Sequence, residues 1–285
     1  MHPSRISLIS IFAAGVKAQS CTLQFDGRLP GNLNTAAFDA PNQFFSDGNV
    51  LGAGLSFSQL LRLQPASTGS LFDVGTVPVE VTISDDSIFN GQTGFRRAEL
   101  IPASNSGADE STLGVKTLHF SLQKDTQRPL NFSHEYQLVF LEDAAFSTNQ
   151  LVLKTGMILG GQANADPDTL QLFGNVNRNG GPQVLFSTPF TEGVFHNFAA
   201  TLDFAALTTQ VFFSTGTAPL EAVTEVLDND VSGRGQFHFG VLKKPTDGIG
   251  DITKNGFQEA GIDEGISFSG IFQEDSSTGC ISLSP

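Results

Sequence analysis

Residues 116–122 read Lys116-Thr117-Leu118-His119-Phe120-Ser121-Leu122. Leu118, Phe120 and Leu122 fall on one face, and Thr117, His119 and Ser121 on the other, which is the period of two of a half-buried strand. The same alternation recurs outward along the chain. From Asn197 to Phe204 it turns Phe198, Ala200, Leu202 and Phe204 inward. From Gln236 to Val241 it turns Phe237, Phe239 and Val241 inward, with Gln236, His238 and Gly240 opposite. From Glu135 to Leu141 it sets Tyr136, Leu138 and Phe140 against Glu135, Gln137 and Val139. Turn signals punctuate these runs: Asp47-Gly48, Asn90-Gly91, Asn179-Gly180-Gly181 and Asn255-Gly256. Leu220 to Leu227 reads as a short helix or as a strand. There is no Pro-, Ser- or Thr-rich linker and no repeat of solenoid period. Many short strands between frequent turns predict an all-β fold, a two-sheet jelly-roll sandwich.

The chain has 285 residues, of which 39% are hydrophobic, enough for one large core. Charged residues are 15%, against about 25% in an average soluble domain, so uncharged polar groups must cover much of the surface. With 29 acidic and 15 basic side chains the net charge is −14. That balance argues against nucleic acid, which needs a basic patch, and against an anionic polysaccharide. A neutral partner suits it.

Met1 to Ala18 reads as a secretory signal. A weakly basic start (His2, Arg5) precedes an apolar run, Ile6 to Val16, too short to span a bilayer, and Val16-Lys17-Ala18 suits cleavage after Ala18. The expected organisation is therefore a leader, 1–18, and a single domain, 19–285, that is secreted and monomeric. No later run has the length of a membrane span. The two cysteines, Cys21 and Cys280, lie near the ends of that domain and in an oxidising compartment would form one disulfide. They cannot make a metal site alone, and no cofactor motif is present. Asn131-Phe132-Ser133 is the single glycosylation sequon. The aromatic inventory is uneven: 26 Phe, one Tyr and no Trp. A sugar platform would have to be built from Phe.

Three places carry candidate chemistry. In Gly94-Phe95-Arg96-Arg97-Ala98-Glu99-Leu100, alternation puts Arg97 and Glu99 on one face. A charged pair inside a sandwich is costly, so it points to solvent or a groove. Its ordinary reading is a surface ion pair of little energetic weight. The run from His134 to Asp143 offers two carboxylates: Glu135, on the face of Gln137, and Glu142, at the strand end where a bulge would redirect it into a cleft. Either is otherwise a solvated acid. His238 stands on a polar face between two Phe, suited to a structural hydrogen bond, to tuning a carboxylate or to binding a sugar hydroxyl. Glu259, Asp263 and Glu264 surround two glycines in a spacing unlike an EF-hand loop. No GxSxG elbow, HExxH or phosphate loop occurs. Paired carboxylates, the requirement for hydrolysing a glycosidic bond, are what remains.

Several runs in the same order resemble glycoside hydrolase family 131. They are Thr93 to Leu100, His134 to Phe140, Phe239 to Pro245, Gly261 to Gly265 and Phe272 to Ser277, and the resemblance extends from Phe25 to Leu283. It implies a β-jelly roll with an open groove on the concave sheet. It implies a secreted β-glucanase acting on neutral β-1,3-, β-1,6- and β-1,4-linked glucans with inversion. By motif, Glu99 matches one catalytic carboxylate, with Arg97 and His238 beside it in the cleft. The second lies in the following strand, at Glu142 or Glu135. Alternation favours Glu135; separation from Glu99 and the strand-end position favour Glu142, which is slightly preferred. Arg97, Gln137 and His238 are the substrate-binding candidates. The alternatives are a glucan-binding jelly-roll lectin, which would need exposed stacking rings, and a polysaccharide lyase using Arg97, Gln137 and His238 on an anionic uronate.

Overall fold

The computed structural model describes residues 21–285 except 41, 47–49, 66–68, 104–108 and 162–164. The expected leader, Met1 to Ala18, lies outside the described residues. In chain order the strands are β1 (Thr22–Asp26), β2 (Leu29–Pro30), β3 (Leu61–Leu63), β4 (Thr76–Val77), β5 (Val79–Ser84) and β6 (Arg96–Leu100). They continue as β7 (Val115–Lys124), β8 (Glu135–Glu142), β9 (Asn149–Gly156), β10 (Thr169–Phe173), β11 (Val184–Pro189) and β12 (His196–Asp203). The last are β13 (Thr208–Thr215), β14 (Glu221–Ala222), β15 (Leu227–Asp228), β16 (Gln236–Lys243) and β17 (Asp263–Asp275). The one α-helix among the described residues, Phe57–Leu60, has four residues.

Two antiparallel sheets form the sandwich. The back sheet runs β14-β13-β12-β7-β17-β5-β3, with β1 paired to β17 and β15 to β13; the front sheet runs β11-β10-β9-β8-β16-β6. The alternating runs supply the space between them. Leu118, Phe120 and Leu122 from β7 and Phe198, Ala200 and Leu202 from β12 meet Phe237, Phe239 and Val241 from β16. Phe120 and Phe198 stack with ring centroids 5.2 Å apart. Fully burying each such ring contributes about 1.5–3 kcal/mol relative to leaving it exposed, so Phe carries the core. The only Tyr, Tyr136, is also wholly buried, and its hydroxyl donates to Glu264 Oε2 at 2.7 Å.

One open reading is settled and one expectation is corrected. Leu220 to Leu227 takes the strand alternative and holds no helix. Its ends form β14 and β15, both paired to β13, which would otherwise present unsatisfied edge groups. Phe140 does not face the core either. The ladder between β8 and β9 shifts register between Gln137 and Val139. A bulge changes the phase of every residue after it. Phe140 and Glu142 therefore share the outer face with Glu135 and Gln137, and Phe140 packs with Val152 and Phe173 in a separate cluster.

Cys21 and Cys280 are joined by a disulfide across 259 residues of sequence. It ties the strand that opens the described chain to the segment that follows β17. None of the helices among the described residues is long and apolar enough to cross a membrane.

Candidate active site

The site is built on the outer face of the front sheet, where β6, β16 and β8 lie side by side. On β6, Ala98 and Leu100 point into the core, so Arg97 and Glu99 point out. The free edge of β6 is closed by Val50, whose N–H donates to Glu99 O at 3.2 Å and whose carbonyl accepts from Glu99 N at 2.8 Å. Gly240 of β16 lies opposite Glu99 in the ladder. A Cβ on Gly240 would come within 2.1 Å of Ala98 O and 2.7 Å of Glu99 Cα. The absence of a side chain there lets the two strands close up beneath the carboxylate.

Glu99 is wholly buried, yet each oxygen has a partner. Arg97 Nε donates to Oε1 and Arg97 Nη2 to Oε2, both at 2.7 Å, a bidentate fork. His238 Nδ1 is 2.8 Å from Oε2. An ionised carboxylate only accepts, so His238 carries its proton on Nδ1 toward Glu99. Burial alone would push the Glu99 carboxyl up; the charge of Arg97 and the hydrogen bond and charge of His238 outweigh it and hold the group at about 2. Arg97 is itself fixed by Gln92 Oε1 at 3.1 Å and covers the Phe89 ring at 5.6 Å.

The other ring nitrogen, His238 Nε2, is buried with no hydrogen-bond partner among the described residues and lies 3.5 Å from Glu142 Oε2. Phe140 stacks on the imidazole at 4.4 Å and 11°, fixing its plane. Glu142 is the member that meets solvent, with its side chain 24% exposed. Burial raises its pKa above the ordinary carboxylate range, helped by the nearby Glu99 and Asp143 charges and opposed by His238 and Arg97. Glu99 and Glu142 thus stand on either side of one imidazole, the first held ionised and the second biased toward its protonated form. Two carboxylates whose environments drive them apart in this way can divide acid and base work.

Glu135 shares the face but not the cluster. Its carboxylate accepts from Lys244 Nζ at 2.7 Å, Lys154 Nζ at 3.0 Å and Leu159 N at 2.8 Å, and its side chain is fully buried. Burial pushes its pKa up, but the charges of Lys244 and Lys154 prevail and keep it below the ordinary value. Both lysines are far along the sequence, so alternation gave no sign that Glu135 would be sealed. Gln137 lies between the two groups. It donates weakly to Glu135 Oε1 at 3.4 Å and accepts from Asn149 Nδ2 at 3.0 Å. Phe140, Phe89, Gln92 and Gly240 were not singled out from the sequence as site residues. Only Gly240, a glycine inside a clean alternating strand, carried a signal. The acidic run near the end is tied into ion pairs: Glu259 and Glu264 both accept from Lys243, and Asp263 lies 3.7 Å from Arg128.

The glycoside hydrolase 131 catalytic N-terminal domain family model matches residues 23–279. Among solved structures, the chain is similar to the catalytic domain of the glycoside hydrolase family 131 protein from Coprinopsis cinerea. That match has 24% identity, covers 93% of this chain and 98% of that one, and has a TM-score of 0.69. It is also similar to a β-glucanase catalytic domain of the same family from Podospora anserina, with 25% identity, 92% and 98% coverage and a TM-score of 0.69. The search of curated proteins gives no match. The fold and the sequence match agree over nearly the whole described chain, which belongs to glycoside hydrolase family 131 and is a glycoside hydrolase.

Proposed function

We propose that this protein is a secreted, monomeric β-glucanase that hydrolyses neutral β-1,3-, β-1,6- and β-1,4-linked glucan with inversion, using Glu142 as acid and Glu99 as the ionised partner. The observation that carries this reading is the Glu142–His238–Glu99 line, in which the surroundings lower the pKa of one carboxylate and raise that of the other. The β-glucanase from Podospora anserina supports the substrate class. In the reaction, water oxygen bonds to the anomeric carbon as the bond to the leaving sugar breaks. The leaving oxygen takes the proton of Glu142, and the proton shed by water passes to the Glu99–His238 pair. Both Glu99 oxygens are engaged, so its charge acts through the imidazole. Inversion calls for two carboxyl groups about 6.5–9.5 Å apart, and His238 stands between Glu99 and Glu142. A net charge of −14 suits an uncharged substrate.

Secretion rests on the Met1 to Ala18 leader, whose removal leaves 19–285 as the mature single domain, and on the disulfide. Asn131 is proposed to carry a glycan; it is exposed, although its Nδ2 donates to Glu259 at 2.8 Å in the unmodified chain. The test is Glu142→Gln. Reducing-sugar release from mixed-linkage β-glucan is expected to fall by roughly 10²–10⁴, the usual contribution of a general acid, while glucan binding persists. Full hydrolysis by this variant refutes the role of Glu142. Binding by the unchanged protein without any sugar release would favour the lectin.

A further inference from the structure

The hairpin between β8 and β9 begins one residue after Glu142 and displays an aromatic ring in an unusual way. Phe146 is 72% exposed and has a φ of 54°. That is the left-handed region, which a residue with a bulky side chain adopts only at a cost and which hairpin loops usually assign to Gly or Asn. The hairpin is nevertheless tightly organised. Asp143 accepts from Ser147 N at 2.7 Å, Ser147 Oγ at 2.7 Å and Thr148 N at 3.2 Å, and Phe146 N donates to Asp143 O at 3.0 Å. Ala144 N donates to Gly233 O at 3.0 Å, which ties the hairpin to the loop feeding β16 and so to His238. The exposed ring thus sits on a well hydrogen-bonded hairpin, four residues after the candidate acid.

Other stacking rings are scarce. The chain has no Trp, and its one Tyr is buried. Among the described residues, the large exposed apolar side chains include two aromatics, Phe146 and Phe257. Phe257 belongs to the loop that bridges to Thr246, past the opposite end of β16. Beside the Phe146 hairpin lies a polar cavity of about 710 Å³ whose lining includes Asp143, Thr148, Asn175, Asn179 and Ser232. A flat apolar ring next to amides and hydroxyls suits the alternating apolar faces and hydroxyl edges of a pyranose chain.

We propose that Phe146 is a substrate-binding ring that stacks on a glucosyl unit next to the bond cleaved at Glu142, with the adjoining polar cavity taking that part of the chain. This rests on the glucanase reading above. The test compares Phe146→Gly, Phe146→Leu and Phe146→Trp on soluble mixed-linkage β-glucan. Glycine relieves the left-handed backbone, so its Tm is expected to rise while kcat/KM falls about three- to tenfold through KM, the mark of lost binding in ground and transition states alike. Leucine keeps an apolar side chain without a ring and is expected to lose as much. Tryptophan restores a ring and is expected to restore KM. A KM insensitive to glycine, or a leucine variant equal to tryptophan, overturns the stacking role while leaving the glucanase reading intact. Absence of glucan turnover by the unchanged protein overturns the glucanase reading and this one with it.

Discussion

The three acids on the outer face of the front sheet are chemically similar residues with different neighbours, and the neighbours set their roles. Glu99 has a fork from Arg97 and a histidine; Glu135 has two lysines; Glu142, among the described residues, has only a 3.5 Å approach from His238 and is partly open to solvent. Replacing Glu135 by Gln leaves the buried Lys154 and the half-buried Lys244 without their counter-charge, which costs about 3 kcal/mol in stability. Its kcat, measured where the variant is still folded, is expected to stay near that of the unchanged protein; a loss matching that of Glu142→Gln would place Glu135 in the chemistry. The pH profile follows from the other two acids. On the proposed assignment the reaction uses Glu142 protonated and Glu99 ionised. Glu99 stays ionised down to about 2, so it does not set the acid limb near pH 4. Glu142 is raised by burial, so the alkaline limb of kcat/KM lies above the ordinary carboxylate value of about 4.3. An alkaline limb at or below that value in a pH–rate series would contradict the assignment of Glu142 as the acid.

Strands deliver these side chains, and one backbone detail in each matters. In β16 it is Gly240, across from Glu99. Gly240→Ala drives a methyl into the Ala98 carbonyl, which as part of a ladder cannot yield easily. The expected cost is about 3 kcal/mol, seen as a lower thermal midpoint, together with loss of hydrolysis as β6 and Glu99 shift. An alanine variant with unchanged Tm and activity would show that the close approach is not needed. In β8 the detail is the register shift after Gln137, and it marks where reading by alternation stops. Period two correctly turned Phe120, Phe198, Phe237 and Phe239 inward, even though the β16–β8 ladder shifts register just after Phe239. It misassigned Phe140, because a bulge obeys cross-strand geometry and leaves no composition signal. The Arg97/Glu99 pair was legible because a charged pair cannot face a Phe core. The burial of Glu135 was not, because Lys154 and Lys244 reach it only once β9 and the end of β16 have flanked β8.

At the scale of the whole molecule, both sheets bury acids on their outer faces, and each builds a histidine–carboxylate pair there. On the back sheet, His119 Nε2 lies 2.9 Å from Glu274 Oε2 and its ring stacks on Phe272 at 4.2 Å, a counterpart of His238, Glu99 and Phe140. There the C-terminal segment closes the pair, with Ser282 N donating to Glu274 Oε2 at 3.0 Å, and the Cys21–Cys280 disulfide holds that segment down. Further along the same sheet Glu80 is 3% exposed, and its Oε1 has no hydrogen-bond partner, although Arg128 Nε approaches to 3.4 Å. Burial pushes its pKa up to about 8, aided by the hydrogen bond and charge of Asp125 and opposed by Arg128 and Arg62. In the unfolded chain the same group ionises near 4.3. The folded state therefore holds a proton that the unfolded state has lost, and stability falls as pH rises from about 4.3 toward 8. Glu80→Gln resembles the protonated carboxyl at every pH. Thermal unfolding of this variant is expected to match the unchanged protein at pH 4 and to exceed it at pH 7.5 by at least about 1 kcal/mol, or roughly 2–4 °C for a domain of this size. A gain of equal size at both pH values would mean that packing, not the proton, sets the difference; a loss at pH 7.5 would mean that Glu80 is ionised in the folded protein and held by Arg128.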